Sequence, residues 1–284
     1  MLKQFSLFNP FRSRKRGLYG LFSLVLALTL ALGNLQPAKA VPWIELLIRG
    51  AQIVQLSNIS QKQETELGSQ INQELINSGQ VKLSRNQAIN SYINRIGQEL
   101  AKQSNRPDLP YTFQVVEDDS VNAFATMGGY VYVNTGLIEK AENEAELASV
   151  IGHEIGHIEG RHALEQMKER AIAQGILSAA GLDRSQAVQI GVELAVNRSN
   201  SRSDELEADQ FGLDNLQGAG YAPSGMISFM QKLLQQGNSV PTFLSTHPAT
   251  SERIERLKAE IPASSANVGK GLDKQAYQNQ ISAL

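Results

Sequence analysis

Two of the four histidines in this 284-residue chain stand four positions apart, in His153-Glu154-Ile155-Gly156-His157. That spacing constrains the fold more than any other feature. On an α-helix, positions i and i+4 share one face, stacked one turn apart. On a strand the same two residues would stand roughly 13 Å apart. The flanking sequence agrees with a helix. From Glu142 to about Arg170 the residues read as one helix, acidic in its first turns as the helix dipole favours. Leu147, Val150, Ile151, Ile155 and Ile158 form its apolar stripe. Gly152, Gly156 and Gly160 are poor helix formers. Three in one helix predict close packing, and a metal with its substrate is one candidate for what packs there.

Two imidazoles one turn apart can grip one metal ion. The glutamate after the first then sits where it can take a proton from a water on that ion. The chain has no cysteine, so a disulfide, a thiolate metal site and a lipoprotein anchor are all excluded. Any metal must be held by histidine and carboxylate. A catalytic zinc takes three protein ligands and keeps one position for water. His162 does not fit as the third. The metzincin pattern wants histidine at 163, which is Ala163, and on a continuous helix His162 lies roughly 180° from His153. It reads as a helix-surface or packing residue. Downstream, Ser201-Arg202-Ser203-Asp204-Glu205-Leu206-Glu207-Ala208-Asp209 places Glu205 and Asp209 on one face of a second helix. Glu205 is a candidate third ligand. Asp209 is a candidate acceptor for the free ring N–H of a ligating histidine. A solvated acidic face is the competing reading of the same spacing.

Residues 1–40 read as a secretory signal peptide. Lys3, Arg12, Arg14, Lys15 and Arg16 form a basic start, Leu21 to Leu32 an apolar run, and Ala38-Lys39-Ala40 a cleavage site. The run is short for a membrane span of roughly 20 residues. The expected location is therefore the periplasm or another extracytoplasmic space, with Val41 as the mature N-terminus. The whole chain has 26 Lys/Arg and 28 Asp/Glu. Residues 1–40 take six of the former and none of the latter, leaving 20 against 28, a net of −8. Nucleic acid is an unsuitable partner for such a chain.

The remainder reads as one metal-binding domain over 41–262 and a polar, loose tail over 263–284. Trp43 to Leu56 is amphipathic and suits packing against the domain, with at most peripheral membrane contact. Helices are expected near 63–76, after a capping box at Ser84-Arg85-Asn86-Gln87, in two segments over 163–200 around Gly181, and near 203–217, 224–236 and 250–259. Tyr111 to Val116 and Gly129 to Asn134 read as strands. The expected class is α+β, mostly helical, with a small sheet beside the site helix.

Three features together resemble one family. They are His153–His157, the Glu205/Asp209 pair, and the run from Asn122 through Gly128-Gly129-Tyr130-Val131-Tyr132 to Leu137. The family is the CAAX-prenyl-protease-type gluzincins, the HtpX/Oma/BepA/LoiP-like metallopeptidases, and the resemblance covers about residues 60–260. It implies a zincin-type domain with one zinc per chain on His153, His157 and Glu205, with Asp209 supporting them. It implies that Glu154 is the general base. It also implies that the glycine-rich run is an edge strand pairing with extended substrate, which makes Asn122, Gly128, Gly129, Tyr130, Val131 and Tyr132 candidate substrate-binding residues. Met127 departs from the family, where many relatives have proline. Thr246-His247-Pro248 and Arg253 are similar to a family motif near the active site, so His247 and Arg253 are candidates to face the transition-state oxyanion. His247 has a second candidate role, as a latch in the fourth zinc position that leaves when substrate arrives.

The function implied is a zinc metalloendopeptidase acting on unfolded or extended exported and envelope polypeptides, in quality control. The alternative is a zinc-bound, chaperone-like binder with little proteolysis. The intact Glu154 argues against it, because a pure binder needs no general base. A zinc hydrolase of non-peptide bonds is a further rival, and a strand that pairs with backbone argues against that.

Overall fold

The structure is a computed structural model. It describes residues 53–176, 181–197, 200–235, 242–248, 251–282 and 284. The signal-peptide segment and most of the Trp43–Leu56 segment lie outside the described residues. The described chain opens with a two-residue strand, β1 (Ile53–Val54), and a 3-10 turn at Leu56–Asn58. Helix α1 (Gln61–Asn77) starts at a true capping box. Ser60 Oγ accepts from the Gln63 N–H, and Gln63 Oε1 accepts from the Ser60 N–H. Helix α2 (Gln87–Ala101) is capped differently from the expected box. Asn86 Oδ1 accepts from the Ala88 and Ile89 N–H groups, while the Ser84 backbone pairs with Val115.

Three strands form the main sheet: β2 (Thr112–Val116), β3 (Ala123–Thr126) and β4 (Tyr130–Asn134). Their order is β2-β4-β3, with β4 parallel to β2 and antiparallel to β3. The glycine-rich run therefore does not supply the edge strand expected of it. Its strand is the central one, with a partner on each side. Val131, Tyr132 and Val133 are fully buried, alternating between two apolar clusters on opposite faces of the sheet. Gly128 and Gly129 have φ of 81° and 97° and make the turn from β3 to β4. That turn presses on α1, where a Cβ at Gly68 would stand 2.1 Å from the Met127 carbonyl oxygen. The backbone that Gly128 admits is that of α1, and Gly129 admits that of Pro110, ahead of β2. The edge that borders the site helix is β3.

Helix α3 (Thr135–Lys140) leads to the site helix α4 (Glu144–Glu159), capped by Asn143. Every residue of α4 from Ala145 to Ile158 is buried, so it is the axis of the domain. The helix expected to run to Arg170 is instead two. Arg161 takes a left-handed φ of 55°, and α5 (His162–Ala173) starts afresh. A non-glycine residue in that conformation costs about 1–2 kcal/mol. Its guanidinium is held in exchange: it donates to Glu64 at 2.9 Å and to the Ile59 carbonyl at 3.2 Å. Glu64 is itself buried and gripped by both terminal nitrogens of Arg106.

Strand β5 (Leu182–Asp183) pairs with β1. Helices α6 (Arg184–Asn197), α7 (Arg202–Gly218), α8 (Ser224–Leu234), α9 (Thr242–Thr246), α10 (Ser251–Glu260) and α11 (Lys274–Ile281) complete the chain. The expectation of a loose tail fails. The Ala145 N–H, in the first turn of α4, donates to the Gly271 carbonyl at 2.9 Å. Tyr277 is buried and its hydroxyl donates to the Ile138 carbonyl at 2.5 Å. The class is α+β and mostly helical, as expected. No helix among the described residues is long and apolar enough to cross a membrane.

Candidate active site

The site begins with two helices whose backbones touch. A Cβ at Gly156 would stand 2.5 Å from the Ala208 carbonyl oxygen, and one at Gly212 2.9 Å from the His153 nitrogen. What packs on the glycines of α4 is therefore α7, rather than metal and substrate. This contact brings Glu205 and Asp209 up to the two histidines.

Four ligand atoms converge. His153 Nε2 and His157 Nε2 are 3.1 Å apart. Glu205 places one oxygen 3.4 Å from His153 Nε2 and the other 3.3 Å from His157 Nε2. His247 Nδ1 lies 3.3 Å from each of those nitrogens and 3.1 Å from Glu205 Oε1. A tetrahedral zinc with bonds near 2.0–2.1 Å requires ligand atoms roughly 3.3 Å apart. With Glu205 Oε1 at the carboxylate corner, five of the six edges lie at 3.1–3.3 Å and match, while His153 Nε2 is 3.4 Å from the other Glu205 oxygen. All four residues are buried. The protonation equilibria point the same way. Burial would depress the His153 imidazole, but Glu205 and the Asp209 contact push it up to about 9. Burial would raise the Glu205 carboxyl, but the charges of His247 and His153 hold it well below the usual carboxylate range. The cluster is built around a positive charge, and a divalent cation satisfies it.

Glu154 is wholly buried and neither carboxylate oxygen has a hydrogen-bond partner. His247 Nε2 lies 3.4 Å from Glu154 Oε1. An orphaned buried carboxylate beside a metal cage is what a general base for a metal-activated water requires.

Supports surround the ligands. Asp209 Oδ1 lies 3.0 Å from His153 Nδ1, which leaves Nε2 free for metal. Arg253 is buried and does not aim at a substrate oxyanion, contrary to expectation. Its Nε and one terminal nitrogen donate to the two Asp209 oxygens at 2.6 and 2.7 Å, and the other terminal nitrogen donates to Glu205 and to the Pro248 carbonyl. Arg253 therefore positions the two carboxylates. It also keeps the Asp209 carboxyl low, against the burial that would raise it.

Sequence reasoning missed two partners. His162 is buried, with its Nδ1 2.8 Å from His157 Nδ1 and its Nε2 3.1 Å from Glu207 Oε2. With His157 Nε2 on the metal, its Nδ1–H must donate to His162, whose own Nε2–H then donates to Glu207. The chain break at Arg161 folds His162 back, and a continuous helix would have hidden this. Asn200 Nδ2 lies 3.1 Å from His247 Nδ1 and 3.3 Å from His157 Nε2. No spacing signal marks it. Of the expected substrate-binding residues, Asn122 alone leads into the edge strand β3 along the chain, whereas Tyr130, Val131 and Tyr132 pair with β3 from the central strand. Val131 and Tyr132 are interior, and Gly128, Gly129 and Tyr130 belong to the turn and start of the central strand.

The model of peptidase family M48 matches residues 87–261, which include both helices of the cage and Arg253. The chain belongs to peptidase family M48. The family is zinc-dependent, and His153, His157, Glu205 and His247 can together hold one metal ion. Among curated proteins the chain is 30% identical to the β-barrel assembly-enhancing protease of Escherichia coli (strain K12), over 86% of this chain and 52% of the relative. It is 30% identical to the metalloprotease LoiP of the same organism, over 77% of this chain and 88% of that one. It is also 30% identical to the mitochondrial metalloendopeptidase OMA1 of Schizosaccharomyces pombe, over 60% of this chain and 52% of the relative. The chain spans about half the length of the β-barrel assembly-enhancing protease it matches.

Proposed function

We propose that this M48 chain is a zinc metalloendopeptidase that cuts unfolded or extended polypeptides of the cell envelope after its own export. The observation that carries the reading is the buried cluster of four converging ligand residues beside the orphaned Glu154 carboxylate. His153, His157 and Glu205 are the permanent ligands. When bound there, zinc supplies Lewis-acid polarisation of the scissile carbonyl and activation of water. Glu154 accepts the water proton and returns it to the leaving amine. Substrate lies in extended form along β3. His247 is read as the latch. Its Nδ1 takes the fourth corner of the cage while its Nε2 faces Glu154, so one ring blocks both metal and base. The Escherichia coli relative is named for β-barrel assembly, and likeness to it supports an envelope quality-control role. The basic and apolar segment before Val41 supports export.

Glu154→Gln tests the reading. Gln keeps the shape but cannot accept the proton. Zinc content and melting temperature should stay at wild-type values while digestion of unfolded casein falls by roughly a hundred- to ten-thousandfold. Digestion near the wild-type rate would remove Glu154 as base.

A further inference from the structure

The short helix α9 puts two side chains into the site, one turn apart, and little else. His247, just past its end, reaches the cage. Phe243 is 4% exposed, although Thr242 and Ser245 beside it face solvent. The Phe243 ring stacks on His247, with centroids 4.6 Å apart at 22°, and meets the rings of His153 and Phe229 at 6.3 Å each. Phe243 thus fills an apolar recess whose wall includes a metal ligand.

Its backbone is also placed. The Phe243 N–H donates to the Val121 carbonyl at 2.9 Å. The Asn134 N–H donates to the Asn122 carbonyl, so even-numbered residues of this strand turn their backbone groups to β4. Val121, Ala123 and Ala125 then turn theirs to the free side of β3. The bond from Phe243 sits on the first rung of the ladder that an added strand would use.

We propose that α9 occupies the cleft as an internal stand-in for substrate, and that the Phe243 recess is a subsite for an aromatic or bulky apolar side chain of the polypeptide. The inference rests on the peptidase reading for its context. A polypeptide that extends along β3 to the Val121 rung must displace the Phe243 N–H. A ring on that polypeptide then takes the place of the Phe243 ring. The same movement carries His247 away, because Phe243 and His247 belong to one turn and the His247 N–H donates to the Phe243 carbonyl at 2.7 Å. Chains that expose aromatic residues in extended segments are unfolded ones, so the recess selects for the unfolded state itself.

The test uses the zinc-loaded mature chain carrying Glu154→Gln, so that binding is read without turnover. Two fluorescein-labelled decapeptides, identical except for one Phe or one Ala, are titrated by anisotropy. Adding Phe243→Ala should tighten binding of the Phe peptide by roughly tenfold to a hundredfold, the range expected for burying one aromatic side chain. The Ala peptide should gain much less. Phe243→Leu, which keeps most of the volume and guards against collapse of the fold, should give an intermediate gain. Equal binding of both peptides by both variants, with wild-type melting in at least one, overturns the proposal. Weaker binding of the Phe peptide by Phe243→Leu also overturns it. Digestion of casein by the chain with Glu154 intact, with and without chelator, is measured beside it. A selective gain with no chelator-sensitive digestion would sink the peptidase reading and keep the subsite, and the converse would sink the subsite alone.

Discussion

The two sides of the metal cage are built on opposite principles. On one side, α4 and α7 touch backbone to backbone, and Asp209, Arg253 and Glu205 form a buried ionic lattice with bonds of 2.5–2.7 Å. On the other side, His247 hangs from a five-residue helix with exposed threonine and serine. That helix is tied by one hydrogen bond at Val121 and by two from Asn200, backbone and side chain, to the Thr246 carbonyl. The first side cannot move without unpairing buried charges. The second can leave by breaking a few ordinary hydrogen bonds, each worth about 1 kcal/mol net, and by withdrawing one buried ring, Phe243. The difference supports the proposed division into three permanent ligands and one exchangeable ligand.

If the lattice side is the rigid one, Arg253→Ala should do the most damage. It strands two buried carboxylates, at a cost of about 3–5 kcal/mol. Thermal melting should show the loss, and zinc should become easier to strip with chelator. A melting temperature within a degree or so of wild type would mean that the lattice is not what fixes the cage. His162 should matter less, because it acts through one ligand. His162→Phe should weaken zinc binding about 10- to 100-fold by chelator competition. His162→Asn, whose side-chain oxygen can still accept from His157 Nδ1–H, should recover most of that. Equal losses in both would reduce His162 to packing.

The mobile side predicts an effect of opposite sign. His247→Ala should raise basal casein digestion, by on the order of tenfold if the latched state is favoured by ~1.4 kcal/mol. A tenfold or greater fall at unchanged zinc content would instead make His247 a transition-state donor. The smallest effect lies away from the cage, where ion pairs hold the tail. Burial would raise the Glu99 carboxyl, but Lys270 and Arg95 hold it below its ordinary value, and Lys274 and Lys232 do the same for Glu142. Groups lowered in the folded state stabilise it above the ordinary carboxylate pKa of about 4.3, and that support is lost as pH falls through the lower folded values. Amide exchange in residues 270–282 should therefore accelerate below about pH 4 before that of α4 does. Simultaneous loss of protection in both would show the tail to be no weaker than the core.

What the sequence made legible was what one helix can carry. His153, Glu154 and His157, and likewise Glu205 and Asp209, are fixed by a 3.6-residue period that needs no knowledge of neighbours. What stayed hidden depended on distant partners. Arg161 breaks the site helix because Glu64, 97 residues earlier, holds its guanidinium. Nothing local distinguishes that arginine from any other. Tyr130–Asn134 read as an edge because a strand's own residues do not say how many neighbours it has. The tail reads as loose because its polar composition conceals two buried anchors, Tyr277 and Ile281, and a backbone bond that the Gly271 carbonyl accepts from Ala145. Arg253 was visible as a residue near the site, but its role was misassigned, since only the fold shows that Asp209 and Glu205 use its donors.

The ligand set joins distant points of the chain: His153 and His247 are 94 residues apart, and Glu205 and His247 are 42. In a chain without cysteine, a bound ion at this point is a cross-link. Like a disulfide, it forbids most of the conformations that an opened chain would explore, and loops of this length make that restriction worth about 4 kcal/mol in the chain-entropy account. The exchangeable fourth ligand modulates it. With His247 on the ion the larger loop is closed. With His247 displaced, the ion would tie only the span from α4 to Glu205, and α9 would be held by its ends, up to the Arg253 lattice in α10. Substrate capture would thus loosen the short helix α9 alone, while the Arg253 lattice and the anchored tail keep the rest of the domain clamped.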